Sequence, residues 1–125
     1  MLTLLHFKID DQNYILDALY VNYILRKSEL TITTIPNNCD MSILGWSKYQ
    51  NTIYTIKDAS HMIGGNGIDN GQSIILLNND TGILVDSVST VEMVEESRLK
   101  PSPIISKFIK KVLIDGDKLC LLLDT

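Results

Sequence analysis

The sequence predicts a mostly β domain, and three observations carry the prediction. The 125 residues hold 17 Ile and 17 Leu but only two Ala, Ala18 and Ala59, and alanine is the residue that exposed helices use most freely. Apolar, β-branched runs of about five to seven residues alternate with clusters of Asn, Asp and Gly, the spacing of small barrels or sandwiches. One stretch, Ser73 to Val85, reads directly as strand, turn and strand.

The elements are taken in chain order. Leu4 to Ile9 is an apolar run closed by Asp10-Asp11-Gln12-Asn13, polar residues that favour tight turns, and Tyr14-Ile15-Leu16 comes immediately after; this is a hairpin. From Asp17 to Leu25 the period does not decide: Leu19, Val21 and Tyr23 share a face if the chain is extended, Tyr20, Tyr23 and Ile24 if it is helical. Thr31 to Ile35 precedes Pro36, which biases its predecessor toward extended geometry, and Asn37-Asn38-Cys39-Asp40 adds turn chemistry. A strand giving way to a loop is expected there. Thr52-Ile53-Tyr54-Thr55-Ile56 is β-branched and aromatic throughout, a strand ended by Lys57-Asp58. Gly64 to Gly71 holds four of the seven glycines and no apolar period, so it reads as a surface loop dividing the chain into halves. Ser73 to Leu77 and Ile83 to Val85 flank Asn78-Asn79-Asp80-Thr81-Gly82 as the clearest hairpin. Further strands are expected at Val88 to Val94 and, after the turn Asp115-Gly116-Asp117, at Lys118 to Leu123.

Composition narrows the function classes. Forty-five per cent hydrophobic content excludes disorder, and a chain of this length removes roughly two-thirds of its unfolded surface from water without needing a staple. Eleven Lys+Arg against fifteen Asp+Glu give a net charge of −4, which counts against nucleic-acid binding. Cys39 and Cys120 form no CxxC pair and have no histidine at ligand spacing, so both are expected as free thiols, Cys120 in the core, and no metal is expected. The N-terminus has neither a basic n-region nor a long apolar segment, and no run reaches the roughly 18 apolar residues of a membrane span. The reading is cytoplasmic, with no membrane insertion.

The second half carries a specific pattern. Gly82-Ile83-Leu84-Val85-Asp86-Ser87-Val88, then Leu99-Lys100-Pro101-Ser102-Pro103, then Gly116-Asp117-Lys118-Leu119 with Leu121-Leu122-Leu123-Asp124, in that order and spacing, resemble the CheW-like domain. In the first half Phe7, the Asp10 to Tyr14 turn, Val21 with Ile24, Pro36, Gly45 and Asp58 fall at matching places. The resemblance implies two intertwined, five-stranded, SH3-like β-barrels sharing one hydrophobic core. Together they form a single domain over 1–125, the first barrel over roughly 14–70 and the second over roughly 71–125 plus the N-terminal strand. It implies no active site and no cofactor. The function it implies is that of an adaptor coupling methyl-accepting chemoreceptors to the regulatory domain of a CheA-type histidine kinase.

Two departures bear on that expectation. Lys48-Tyr49-Gln50-Asn51 stands where the family carries Asn-Leu-Arg-Gly, so Gln50 replaces an arginine associated with receptor and kinase contacts. A neutral amide makes no charge-assisted bidentate bond to a carboxylate, and receptor coupling of the ordinary kind is correspondingly in question. Asn51 still tolerates a left-handed backbone. Tyr23 replaces the acidic residue usual before Ile24, and the sequence stops at Thr125, where such adaptors continue into a helix, which implies a compact variant. The alternative is a stand-alone binding module of the same fold that has lost receptor coupling.

Catalytic constellations are absent from the pattern. Cys39 and His61 have no acidic orienter at a defined position, and the carboxylate pairs Asp10-Asp11, Glu95-Glu96 and Asp115-x-Asp117 all fall where strands end. Gly64-Gly65-Asn66-Gly67 lacks the Lys-Ser/Thr of a phosphate loop. Lys107, Lys110 and Lys111, with Arg98 and Lys100 upstream, form the one basic concentration; on a helical turn Lys107 and Lys111 would share a face, either solvated or facing an acidic partner. Trp46, Tyr49, Tyr20 and Tyr23 are candidate interface anchors as well as candidate core residues. Partner contact is expected along Val21, Tyr23, Tyr49, Gln50 and Asn51.

Overall fold

The computed structural model describes residues 1–36, 38–68, 71–104 and 106–124. Its strands are β1 (Leu2–Ile9), β2 (Gln12–Asp17), β3 (Val21–Arg26), β4 (Ile43–Tyr49), β5 (Thr52–Asp58), β6 (Ser73–Leu77), β7 (Thr81–Val85), β8 (Ser87–Val94), β9 (Leu99–Pro101), β10 (Ile109–Asp115) and β11 (Lys118–Leu123), with one helical turn, α1 (Ala59–Met62). They form two sheets, ordered β8-β1-β2-β11-β10-β9 and β3-β6-β7-β5-β4. The all-β expectation holds. The chain divides into two compact units, residues 1–19 with 88–125, and residues 20–87. These limits differ from a division near residue 70, because the β6–β7 hairpin pairs with β3 and β5 rather than with the later strands β8 to β11.

In the first unit β1 and β2 are joined by a two-residue loop. Asp10 and Asp11 have φ of 51° and 65°, the double left-handed conformation of a type I′ turn, whose twist matches the flanking strands. The turn is thus shorter than the four polar residues suggest: Gln12 and Asn13 already belong to β2. Gly116, φ 61°, occupies the first loop position between β10 and β11, where a type II′ turn takes a glycine. Leu4, Ile15, Val94, Leu99, Leu113 and Cys120 form this unit's core cluster. Val94 and Leu99 come from the two edge strands β8 and β9, so the sheet curls until its edges share one core.

The second unit repeats the plan. β3 and β4, consecutive in sequence, lie at opposite edges of the sheet, and β5 and β7 run parallel in its interior as β2 and β11 do in the first. Leu25, Tyr54, Ile56, Ile74, Leu76 and Leu84 form the cluster inside it, flanked by Leu30, Ile32, Leu44 and Tyr49. The other face of β6 and β7 carries Ile75, Leu77, Ile83 and Val85, also buried, which explains the unbroken apolar runs Ile74 to Leu77 and Ile83 to Val85.

One expectation is corrected and two open readings are decided. Thr31 to Ile35 is not a strand: Thr33 alone bridges Trp46, because three threonines leave it no continuous apolar face. The basic segment is not helical: Ile109 to Asp115 pairs on both sides, with β9 and β11, and cross-strand pairing overrides the i, i+4 spacing of Lys107 and Lys111. Lys107 instead lies over the Phe108 ring, 5.0 Å from its centre. Third, Ala18–Tyr20 is a 3₁₀ turn and only Val21–Arg26 is extended, which neither reading of 17–25 anticipated. Of the expected loops, Asn37, Asp69 and Asn70 lie outside the described residues, as does Thr125.

Candidate partner-docking site

The β4–β5 hairpin tip organises the predicted surface. Tyr49 and Thr52 close a two-residue loop in which Gln50 and Asn51 have φ of 50° and 65°, again a type I′ turn. Among the described residues, Gln50 is the one non-glycine residue with positive φ that is neither Asn nor Asp. Asn and Asp tolerate that region through local hydrogen bonding, whereas a glutamine held there costs about 1 kcal/mol. Both turn side chains are exposed, presenting neutral amide donors and acceptors.

Tyr49 joins this tip to the far edge of the sheet. Its ring meets the ring of Tyr23 edge to face, with centroids 4.9 Å apart and planes at 71°, the geometry aromatic quadrupoles favour. Since β3 and β4 are the two edges of one sheet, this ring contact spans the seam of the curled unit. Tyr23 is 41% exposed, while Tyr49 is half-buried and packs against the unit's core.

Val21 does not belong with them. The β3–β6 ladder sets Val21 opposite Leu77 and Tyr23 opposite Leu76, with Asn22 as the extra residue of a bulge. Cross-strand partners share a face and successive residues alternate, so the bulge turns Val21 and Tyr23 to opposite faces. The Asn22 amide anchors the irregularity, donating to the Tyr54 hydroxyl at 3.3 Å and the Leu77 carbonyl at 3.5 Å. Four of the five expected residues therefore gather at one place and the fifth lies behind them.

The hairpin's other face adds Ile53, which the sequence pattern did not single out, to the anchor candidate Trp46. Ile53, 60% exposed, stands opposite Lys48, and Trp46, 40% exposed, stands opposite Thr55. Alternation within Thr52 to Ile56 separates Ile53 and Thr55 from Tyr54 and Ile56, but only the packing tells which pair faces out. Beside Trp46 runs a groove of about 340 Å³ lined by Glu29, Leu30, Thr31, Thr33, Trp46, Ser47 and Lys48. The close approach of Thr33 to the hairpin depends on the missing side chain of Gly45: a Cβ there would lie 2.1 Å from the Thr33 carbonyl oxygen.

The titratable groups serve structure. Asp58 accepts from Ser60 N and His61 N through Oδ1, at 2.9 and 3.2 Å, and from Ile68 N through Oδ2 at 2.9 Å, which caps α1 and pins the following loop. His6 and Glu92 share a 2.8 Å hydrogen bond between β1 and β8. Burial raises the Cys120 thiol above its ordinary value, with smaller raising contributions from Asp115 and Glu92 and an opposing one from Lys118; burial and then Asp10 raise Tyr14. Among the described residues no group of three or more His, Cys, Asp or Glu side chains is placed to hold a metal ion, and no helix is long and apolar enough to cross a membrane. An aromatic seam with an amide-bearing tip suits docking.

A family model described as the CheW-like domain matches residues 3–125. Among solved structures, the scaffolding protein TtCheW from Thermoanaerobacter tengcongensis matches with a TM-score of 0.85 at 20% identity, over 99% of this chain and 89% of that one; at that identity the likeness shows the fold. No curated protein sequence matches significantly.

Proposed function

Because the chain belongs to the CheW-like domain family, we propose that it is a non-catalytic, cytoplasmic scaffold of a bacterial chemosensory system, coupling chemoreceptors to the regulatory domain of a CheA-type histidine kinase. The observation that carries the site is the Tyr23–Tyr49 ring pair beside the Gln50–Asn51 tip. Tyrosines are favoured interface anchors, since each offers a large rigid area with a polar end. A glutamine kept in a strained turn, where glycine would cost nothing, supports a role for its side chain. The mechanism is assembly: single contacts of modest strength, multiplied when several are made at once.

The test is co-sedimentation with receptor-bearing membranes, with and without the kinase. Binding in both conditions, weakened by Tyr23→Ala, is the expected result; binding to neither partner overturns the proposal. A second reading rests on Gln50 itself. With no guanidinium at the tip, the chain binds kinase but not receptor, as a stand-alone regulatory module. Kinase binding without membrane recruitment, and recruitment restored by Gln50→Arg, select that reading.

A further inference from the structure

The loop after α1 places an exposed asparagine, Asn66, directly before Gly67. Gly67 has φ +101° and the His61 ring occupies the space a side chain would need, with Nε2 2.6 Å from where a Cβ would stand. The position thus demands glycine, and the nitrogen following Asn66 is left without side-chain shielding. That nitrogen donates to the hydroxyl of the fully buried Ser60 at 3.2 Å, and the next one, Ile68 N, donates to Asp58 at 2.9 Å. On the other side Gly65 N donates to the Ser60 carbonyl at 2.7 Å. The main chain on both sides of Asn66 is pinned to the first turn of α1 while the Asn66 side chain faces solvent.

We propose that Asn66–Gly67 is a self-modifying site, converting to aspartate and isoaspartate at a rate set by the hydrogen bond between Gly67 N and Ser60. Asparagine is a thermolabile side chain, and the chemistry is intramolecular. The Gly67 nitrogen, giving its proton to solvent, bonds to the Asn66 side-chain carbonyl carbon, Cγ. The Cγ–Nδ2 bond breaks and that nitrogen, taking up a proton, leaves as ammonia, forming a cyclic imide. Water then adds across one of two C–N bonds. Opening at Cγ yields aspartate, and opening at the Asn66 main-chain carbonyl yields isoaspartate. No oxidant or reductant is involved. Attack requires Gly67 N to leave Ser60 and turn toward Cγ, so the clamp slows the reaction. Isoaspartate inserts an extra main-chain carbon before Gly67, so Gly67 and Ile68 no longer reach Ser60 and Asp58 together, and the modified loop comes free.

The intact chain, incubated at mildly alkaline pH, is mapped by fragment-ion mass spectrometry, which separates Asn66 from Asn70 in the same peptide. Isoaspartate is counted by methyl transfer with an isoaspartyl methyltransferase. Conversion at Asn66 is expected well ahead of the exposed Asn78 and Asn79, whose successors carry side chains. Ser60→Ala, shown to be folded by its melting curve, is expected to convert Asn66 about fivefold faster, the factor one hydrogen bond of ordinary strength represents. If Ser60→Ala does not fold, hydrogen exchange at the Gly67 amide of the parent serves in its place, and exchange there as fast as at an unprotected amide overturns the clamp. Conversion at Asn66 no faster than at Asn78 and Asn79 overturns the site, and equal rates in parent and variant overturn the clamp.

Discussion

Replacing Gly45 by alanine puts a Cβ 2.1 Å from the Thr33 carbonyl oxygen, 2.7 Å from its carbon and 3.1 Å from Ile32 Cγ2. An ordinary carbon–oxygen contact is about 3.3 Å, so the Thr33 segment must retreat by about 1.2 Å. Two hydrogen bonds span that gap, Thr33 N to the Trp46 carbonyl at 2.8 Å and Trp46 N to the Thr33 carbonyl at 2.9 Å. A retreat of that size stretches both to about 4 Å, beyond hydrogen bonding. Each bond contributes about 1 kcal/mol net, and φ +155° at Gly45 adds about 1 kcal/mol of strain for a residue with a Cβ. The sum is about 3 kcal/mol, which for a chain this long lowers Tm by roughly 10–15 °C. Thermal unfolding by circular dichroism gives the stability, and hydrogen exchange at the Thr33 and Trp46 amides reports the bridge. A variant within about 0.5 kcal/mol of the parent, with both amides still protected, refutes the reasoning.

The same geometry sets other outcomes. Asp58→Asn offers an amide donor where Ile68 N needs an acceptor, and a lower urea midpoint corresponding to about 2 kcal/mol is expected. Gln50→Gly removes the turn strain and raises stability by about 0.5–1 kcal/mol in the same measurement, while partner co-sedimentation falls. Tyr49→Ala costs more thermal stability than Tyr23→Ala because Tyr49 also packs on the core, so Tyr23 is the cleaner probe of binding; Val21→Asp lowers stability without touching the tip. Exposed Cys39 reacts with a thiol reagent in the native protein and Cys120 only on unfolding. Since the Cys120 thiol is raised above its ordinary 9.0, the unfolded chain ionises first. The stability this contributes is complete below about pH 9 and is lost as pH rises toward the folded value; a pH series of melting curves on parent and Cys120→Ala measures it.

Hairpins were the most legible elements, because turn chemistry and strand alternation are local. Asn78 to Asp80, Asp115 to Asp117 and Asp10-Asp11 each mark a turn with residues that accept the required backbone. The missed elements depended on distant partners. β10 carries Lys110, Lys111 and Asp115 among its apolar residues and becomes a strand through β9 and β11 on either side, whereas Thr31 to Ile35, a better strand by composition, finds only one bridge. At the site, Tyr49, Gln50 and Asn51 were contiguous and needed no structure to be grouped. Tyr23 joins them through a ring contact across 26 residues of chain, and a single-residue bulge removes Val21, a detail that leaves no mark in the local pattern.

By itself the sequence determined that this chain is built of short strands, where most of them turn, and which family pattern they match, since backbone preference, side-chain alternation and turn chemistry act between near neighbours. The tertiary structure alone decided which strands share a sheet and which edges meet. The β6–β7 hairpin joins β3 and β5, and the two edge strands β3 and β4 come together at Tyr23 and Tyr49. Those outcomes depend on pairing between distant segments and on curling a sheet around its own core. A period of two is the same whichever neighbour a strand finds.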